Sequence, residues 1–380
     1  MKSGEALYLQ IYAKLLADIK NGIYAEGKPL PTEAEAAKQY LVSRITSKKA
    51  LTKLAEDGVI VRIPGRGSFV KKDYALPDFI PPKENGPKVV ALLLTGYSYS
   101  FGIEVLDAAL EKAEELGIHL ILKNTHSDQK REAVMLKSLM DSNVAGIIIQ
   151  PAHGELYNEV ILNAVYSKFP IVMLDRSMPG IDVPFVGVDN ARLSREAVSR
   201  LIAAGHRNIA LLAVEDDRSS SLKERMQGFL EAFADSRQAV KKDLWLPSIN
   251  DLVNYKELGL NDHTAHEKYV DVIAEHLLRH PEITAIFGTE YNVAKAAWDA
   301  VRRIGKKVPE DISIVSFDFD SDYVGLHLLS HIRQPQESIG ACAVEVIHEI
   351  IHGRSPERRY FLLEGEWVDG TTVAPPKDAS

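Results

Sequence analysis

Two stretches of the chain hold side chains whose types and spacing could do chemistry. The first is Ser43-Arg44-Ile45-Thr46-Ser47-Lys48-Lys49-Ala50-Leu51. On a helical period, Ser47, Ala50, Leu51 and Leu54 share one face, and Ile45, Lys48, Lys49 and Thr52 share the other, with Arg44 in the first turn. An arginine can bond both acceptors of a guanine edge, an apolar side chain can touch a thymine methyl, and lysines can hold phosphates. That is chemistry for a helix lying in a major groove. Ile45 reads either as the methyl contact or as a surface apolar residue. The second stretch is His348-Glu349-Ile350-Ile351-His352, a literal H-E-x-x-H, which on a helix sets two imidazoles on one face for zinc. Its extended form needs glycine at 355 and histidine at 358, where Ser355 and Arg358 stand. A third ligand such as Glu364 or Glu366 falls in an expected terminal strand. A surface helix is therefore the preferred reading, with a zinc-dependent hydrolase as the remote alternative. His276/His280 and His263/His266 have ligand-like spacing without a third partner nearby in sequence, and read as solvated histidines. No phosphate loop, G-x-G-x-x-G or G-x-S-x-G occurs, so neither cofactor, metal nor catalytic residues are expected.

The elements that must position these residues are legible from composition and punctuation. The chain has 380 residues, 46% hydrophobic and 26% charged, enough for two or three packed domains. Its single cysteine, Cys342, excludes a disulfide framework. No apolar run approaches the length of a membrane span, and MKSGEALYLQ has no signal-peptide core, so a cytoplasmic protein without membrane contact is expected. The net charge of −8 hides a split: residues 1–73 carry 13 Lys and Arg against 8 acids, and the remainder is strongly acidic. A basic head that meets a polyanion and an acidic body that does not would have this asymmetry.

Pro77, Pro81, Pro82, Pro87 and Asn85-Gly86 mark a linker over 74–87. Upstream, in 1–73, Ile11, Leu15, Leu16 and Ile19 predict a first helix, Thr32 with Glu35 caps a second, and Ser43 caps a third. Two short strands follow around Pro64-Gly65-Arg66-Gly67. Three helices and a glycine-tipped hairpin predict an α+β winged helix-turn-helix head. Downstream, in 88–380, strand and helix alternate (VVALLL, IEVLDAALEKAEEL, IHLILK and onward), which predicts an α/β body of two doubly wound parallel-sheet lobes. Lobe one is placed at about 88–190 and 335–355, lobe two at about 191–334 and 356–380. The chain crosses between them near Asp189-Asn190, Gln334-Pro335 and Pro356.

Leu30-Pro31-Thr32-Glu33, Val42-Ser43-Arg44, Glu56-Asp57-Gly58 and Gly65-Arg66-Gly67-Ser68-Phe69-Val70 resemble the DNA-binding domain of GntR-type regulators. Leu41 stands where that family usually has the turn glycine, and Ile45 where a polar residue is common. The resemblance implies a winged helix-turn-helix bound to operator DNA. Ser43, Arg44, Ile45, Thr46, Lys48 and Lys49 then serve as recognition-helix contacts, with Lys53 a further phosphate contact. Glu33 is either a cap-region acid or an acceptor for a cytosine amine, and the wing residues Gly65, Arg66 and Gly67 approach a groove.

The body resembles the effector domain of LacI/GalR-type regulators, related in fold to periplasmic binding proteins. The resemblance rests on FVGVDNARLSREAVSRLIAAGHRNIALLAV, KERMQGFLEAF, Val308-Pro309-Glu310-Asp311-Ile312-Ser313 and IRQPQESIG. Ligands of such sheets lie beyond the carboxyl ends of the strands. Those ends are Thr95 to Phe101, Asn124 to His126, Pro151 to His153, Asp175-Arg176, Glu215-Asp216, Thr289-Glu290 and Asp318. Tyr97, Tyr99 and Phe101 could lie on a sugar face beside charged groups that pair with hydroxyls. The family pattern adds Arg225 as a guanidinium clamp and makes Asp318 the hydroxyl acceptor, while Glu290 stands where asparagine is common. The expectation is a repressor of carbohydrate-utilisation genes, a homodimer whose effector is a monosaccharide. The alternative is a regulator of the same build sensing a nucleoside or amine.

Overall fold

The computed structural model describes residues 8–71, except 9, 10, 13, 17, 20–22, 26, 41, 64 and 65, and residues 88–377, except 143, 153–157, 215–218, 253–261 and 321–328. The linker expected at 74–87 lies outside them. The chain divides into two compact units, Met1–Ile80 and Pro81–Ser380.

In the first unit, the helical residues Ile11, Tyr12, Leu15, Leu16 and Ile19 turn their apolar face inward against Leu51, Leu54 and Val59. The helix Glu33–Gln39 opens on a capping box in which Thr32 accepts from the Glu35 amide and Glu35 returns a bond to the Thr32 N–H. The next helix, Arg44–Glu56, is capped by Ser43, whose hydroxyl accepts from the Thr46 amide. Strands β1 (Ile60–Ile63) and β2 (Gly67–Val70) pair antiparallel, with Ile60 opposite Val70 and Ile63 opposite Gly67.

The second unit holds two sheets. The first is built from β3 (Lys88–Leu94), β4 (Ile118–Asn124), β5 (Gly146–Ile149), β6 (Ile171–Leu174), β7 (Phe185–Val188) and β12 (Tyr360–Leu363). Its order is β12-β7-β6-β5-β3-β4 and every pairing is parallel. The second takes β8 (Ile209–Leu212), β9 (Ala285–Gly288), β10 (Ser313–Phe317), β11 (Ser330–Arg333) and β13 (Glu366–Val368) in the order β13-β11-β10-β9-β8. Here β13 alone runs antiparallel, an edge strand that the expectation of purely parallel lobes omitted. Central strands such as GIII, IVML and AIFG are buried at every position because helices cover both faces.

The lobe boundaries need one correction. Residues 356–380 do not all join lobe two, because β12 pairs with β7 of lobe one and only β13 pairs with β11. The third crossing is therefore at Glu364-Gly365, not near Pro356. The other two fall at Asp189, between β7 and the helix Asn190–Ala203, and at Gln334-Pro335, before the helix Gln336–Ile351.

In each lobe a glycine lets two helices meet at backbone distance. A methyl on Gly228, in the helix Ser220–Asp235, would sit 2.1 Å from the Ala191 carbonyl oxygen. A methyl on Gly340 would sit 2.1 Å from the Val105 carbonyl oxygen, on the helix Ile103–Glu115. Only glycine fits either crossing.

Candidate functional site

The residues expected to meet DNA differ in their exposure. Ser43, Arg44, Lys48 and Lys49 are exposed, and Ile45 is 72% exposed. Thr46 is only 8% exposed, and its hydroxyl lies 2.7 Å from that of Ser43. Its hydroxyl is therefore part of the helix cap as well as one of the expected groove contacts. Lys53 is held by Asp57 at 2.9 Å. Glu33 is engaged by Arg62 of β1, whose guanidinium also donates to Thr52 Oγ1 at 3.0 Å. Arg62 was missed in the sequence, where nothing marks a strand arginine as the tie between the hairpin and both helices. Arg66 and Gly67 are exposed, with Gly67 at φ +112, a conformation that favours glycine. Gly65 lies outside the described residues, as do His153, Glu215 and Asp216.

In the body, two aspartates occupy equivalent places in the two lobes. Asp175 follows β6 and Asp318 follows β10, both in left-handed backbone conformation at φ +62 and +65. Each receives a side-chain amide. Gln150 Nε2 donates to Asp175 at 2.8 Å, and Gln334 Nε2 donates to Asp318 at 2.9 and 3.1 Å. Gln150 in turn accepts from the Thr95 amide and hydroxyl, which ties the loop after β3 to β5. Asp175 and Asp318 are 6% and 7% exposed, and their charges act on each other across the cleft. Burial pushes the Asp318 carboxyl up to about 7, against the opposite pull of Arg225 and Gln334 and with Asp175 and Glu290 adding to the rise.

Arg225 is 4% exposed and fixed on three sides. It donates to Asn190 Oδ1 at 2.9 Å and to the Thr289 carbonyl at 2.7 Å, and its guanidinium lies 3.6 Å from the centre of the Phe317 ring. Asn190 also bonds Glu224, whose carboxyl burial raises. Arg176 stands 3.8 Å from Asp175 and leans on the carbonyls of Pro151 and Ala152. Glu290 is half-buried at the start of the helix Tyr291–Arg303, next to the fully buried Thr289. Buried side-chain atoms with no hydrogen-bond partner include Arg176 Nε, Thr289 Oγ1 and Gln334 Oε1. These three lie just beyond β6, β9 and β11, so polar capacity left unused by the protein gathers at the carboxyl ends of the strands.

The aromatic residues are less uniform. Tyr97 and Tyr99 are 46% and 55% exposed, while Phe101 packs against the body core. Their loop is pinned by Gln336, which donates to the Ser100 carbonyl and accepts from the Gly102 amide, each at 2.8 Å. The cleft therefore gathers Asp175, Arg176, Arg225, Glu290 and Asp318. Gln150, Asn190, Thr289 and Gln334 join them. Asn190 and Gln334 sit in stretches that carry the family resemblance, and Thr289 stands at a strand end that the sequence marks, whereas nothing in the sequence marks Gln150.

The H-E-x-x-H stretch forms the end of the helix Gln336–Ile351. The His348 and His352 rings are 4.2 Å apart, but Glu349 is bonded by both arms of the Arg354 guanidinium. Among the described residues, no third candidate ligand joins the two histidines. No described helix is long and apolar enough to cross a membrane.

Residues 87–361 match the model of periplasmic binding proteins and the sugar binding domain of the LacI family, and residues 7–70 match that of bacterial regulatory proteins of the gntR family. The arabinose metabolism transcriptional repressor of Geobacillus stearothermophilus is 27% identical, over 92% of this chain and 93% of its own. The ribose operon repressor of Haemophilus influenzae is 25% identical, over 73% of this chain and 78% of its own. Among solved structures, a complex of the transcriptional regulator CelR with cellobiose has a TM-score of 0.67 at 20% identity, covering 90% of this chain and all of that one.

Proposed function

This chain belongs to the family of periplasmic binding proteins and LacI-type sugar binding domains, carrying a gntR-family head, and on that premise we propose that it is an effector-responsive transcriptional repressor of carbohydrate-utilisation genes. The head would bind operator DNA through Arg44, Ile45, Lys48 and Lys49, with Arg66 and Gly67 in the hairpin. The body would bind a monosaccharide between its lobes. The observation that carries this reading is the pair Asp175 and Asp318, one from each lobe, with the charges of Asp175 and of the fixed guanidinium of Arg225 both acting on Asp318. Carboxylates accept from sugar hydroxyls, and a guanidinium donates to the oxygens the carboxylates leave. Arg176 Nε, Thr289 Oγ1 and Gln334 Oε1 would complete the hydrogen bonding of a polyhydroxyl ligand.

A homodimer in the cytoplasm is part of the same proposal. Leu110, Ile121 and Val134 are exposed apolar side chains on edge strand β4 and on the helices before and after it, side chains of the kind that a second copy covers. An effector bonded to both lobes favours their closure, so effector and operator should weaken each other reciprocally. The test is calorimetry with pentoses, hexoses, disaccharides and nucleosides, followed by operator affinity with and without the ligand found. A nucleoside that binds while every sugar fails would replace the sugar reading by the alternative that Glu290 suggests. Failure of every ligand would reject the cleft assignment.

A further inference from the structure

Outside the cleft, three side chains of metal-ligating type converge on lobe two. Asp243, His280 and Glu282 offer ligand atoms that all lie within 4.8 Å of one another. Asp243 sits in the 3-10 turn Lys242–Leu244, and His280 and Glu282 follow the end of the helix Asp262–Arg279. The sequence shows His276 and His280 at ligand-like spacing but no third partner, because Asp243 is more than thirty residues away. The fold supplies that partner.

The convergence is held by buried structure. His276 is 3% exposed, and its Nε2 pairs with the Leu244 carbonyl at 3.0 Å, which fixes the turn against the helix one residue from Asp243. The carbonyl can only accept, so Nε2 carries the proton. The His276 ring lies 4.6 Å from that of His280 and backs it. His280 pairs with Glu282 by a hydrogen bond whose proton a bound metal would replace. Its Nδ1 faces Glu282 Oε1 at 3.4 Å, close to the separation of roughly 3.3 Å between donors on a tetrahedral zinc ion. Only Asp243 must close in, and an exposed carboxylate can do so by rotation. Lys241, a cation whose charge acts on Glu282, donates instead to Asn208 Oδ1 at 2.6 Å.

We infer that Asp243, His280 and Glu282 form a site for a divalent transition metal of the zinc class, with water in the remaining position. One imidazole with two carboxylates suits a borderline cation, whereas calcium and magnesium require more oxygen ligands. The ion would cross-link the turn, whose Leu244 is buried and whose neighbour Leu246 bridges to β8, to the far end of a long helix. That makes it a staple in lobe two, separate from the effector cleft.

The test is titration of chelator-stripped full-length protein with zinc chloride by calorimetry. The wild type should take up one ion per chain. Asp243→Asn and His280→Gln should each weaken binding by ~10-fold or more, as loss of a ligand should cost at least as much as loss of the groups that support ligands. His348→Gln with His352→Gln should bind like wild type. Unchanged metal-free unfolding midpoints in Asp243→Asn and Glu282→Gln guard against a folding artefact, and a variant that fails this control is replaced by the other. Absence of saturable binding overturns the site, as does binding retained in Asp243→Asn or lost on removing His348 and His352.

Discussion

Replacing Asp318 by asparagine should make the protein more stable at pH 8 and indifferent to its effector. The carboxyl is buried, and its pKa stands at about 7 against an ordinary 3.8. The native state therefore holds this proton more tightly than the unfolded chain does. The stability it contributes is complete below pH about 4, falls as the pH rises toward about 7, and is flat above that. At ~1.4 kcal/mol per pH unit between the two values, ionisation removes up to ~4 kcal/mol, and relaxation around the charge brings the expected range to roughly 2–4 kcal/mol. Asparagine carries no such charge. Its oxygen can still accept from Gln334 Nε2, and its amide nitrogen can donate to Gln334 Oε1, which has no partner in the wild type. It also tolerates the left-handed backbone at this position, φ +65. Urea unfolding followed by tryptophan fluorescence is the assay, because Trp245, Trp298 and Trp367 all belong to lobe two, as does Asp318. The gain should be near zero at pH 4 and largest at pH 8. A gain of equal size at both, or none at pH 8, would refute the burial argument. Undiminished effector response in the variant would separately remove Asp318 from the cleft assignment.

Arg44→Ala should cost ~1–3 kcal/mol of operator affinity and relax preference at one base pair per half-site, measured by competition among operator variants. Lys49→Ala should weaken all sequences alike and flatten the salt dependence; a loss confined to one base pair would reassign it as a reader. Arg225→Ala strips the donor from Asn190 Oδ1 and from the Thr289 carbonyl, so calorimetry should show no effector binding while operator affinity persists. Gly340→Ala forces a methyl onto the Val105 carbonyl and should destabilise the body by ~1–3 kcal/mol or more, read as a lower unfolding midpoint. Exchanging 74–87 for an equally long glycine-serine segment should preserve both binding activities but lose most of the effector's influence on operator affinity. A fully responsive exchanged protein would show that the stiffness of the proline-rich segment does not carry the signal.

What could be read from the residues follows the range of the forces involved. The buried strands announced themselves as apolar runs, and the helical face of Ser47, Ala50, Leu51 and Leu54 is buried as its period requires. Thr46, named among the DNA contacts by the family resemblance and not by periodicity, turns its hydroxyl back to the cap, as a hydroxyl at the third helical position can. The placement of YFLL and EWV in different sheets depends on distant partners, β7 and β11, and two short strands around Glu364-Gly365 carry no sign of which they choose. The carboxylates of the cleft stood out by charge and by position after strands. The glutamines that hold them did not, since an amide looks alike on a surface and in a core. The Asp243 group shows the same limit, because its members become neighbours only after lobe two has folded.

The two glycine crossings have a mechanical consequence. At Gly228 and Gly340, helices meet backbone to backbone, with no side chain between them to change rotamer and let one slide past the other. Each lobe is therefore a stiff block, and rotation of one against the other is carried by the short crossings at Asp189, Gln334-Pro335 and Glu364-Gly365. Compliance would then be concentrated in a handful of backbone torsions. Substitutions at the crossings should then change how fast the cleft opens and closes, whereas substitutions within a lobe change what it holds. Rate and specificity are set by different residues and can be altered independently.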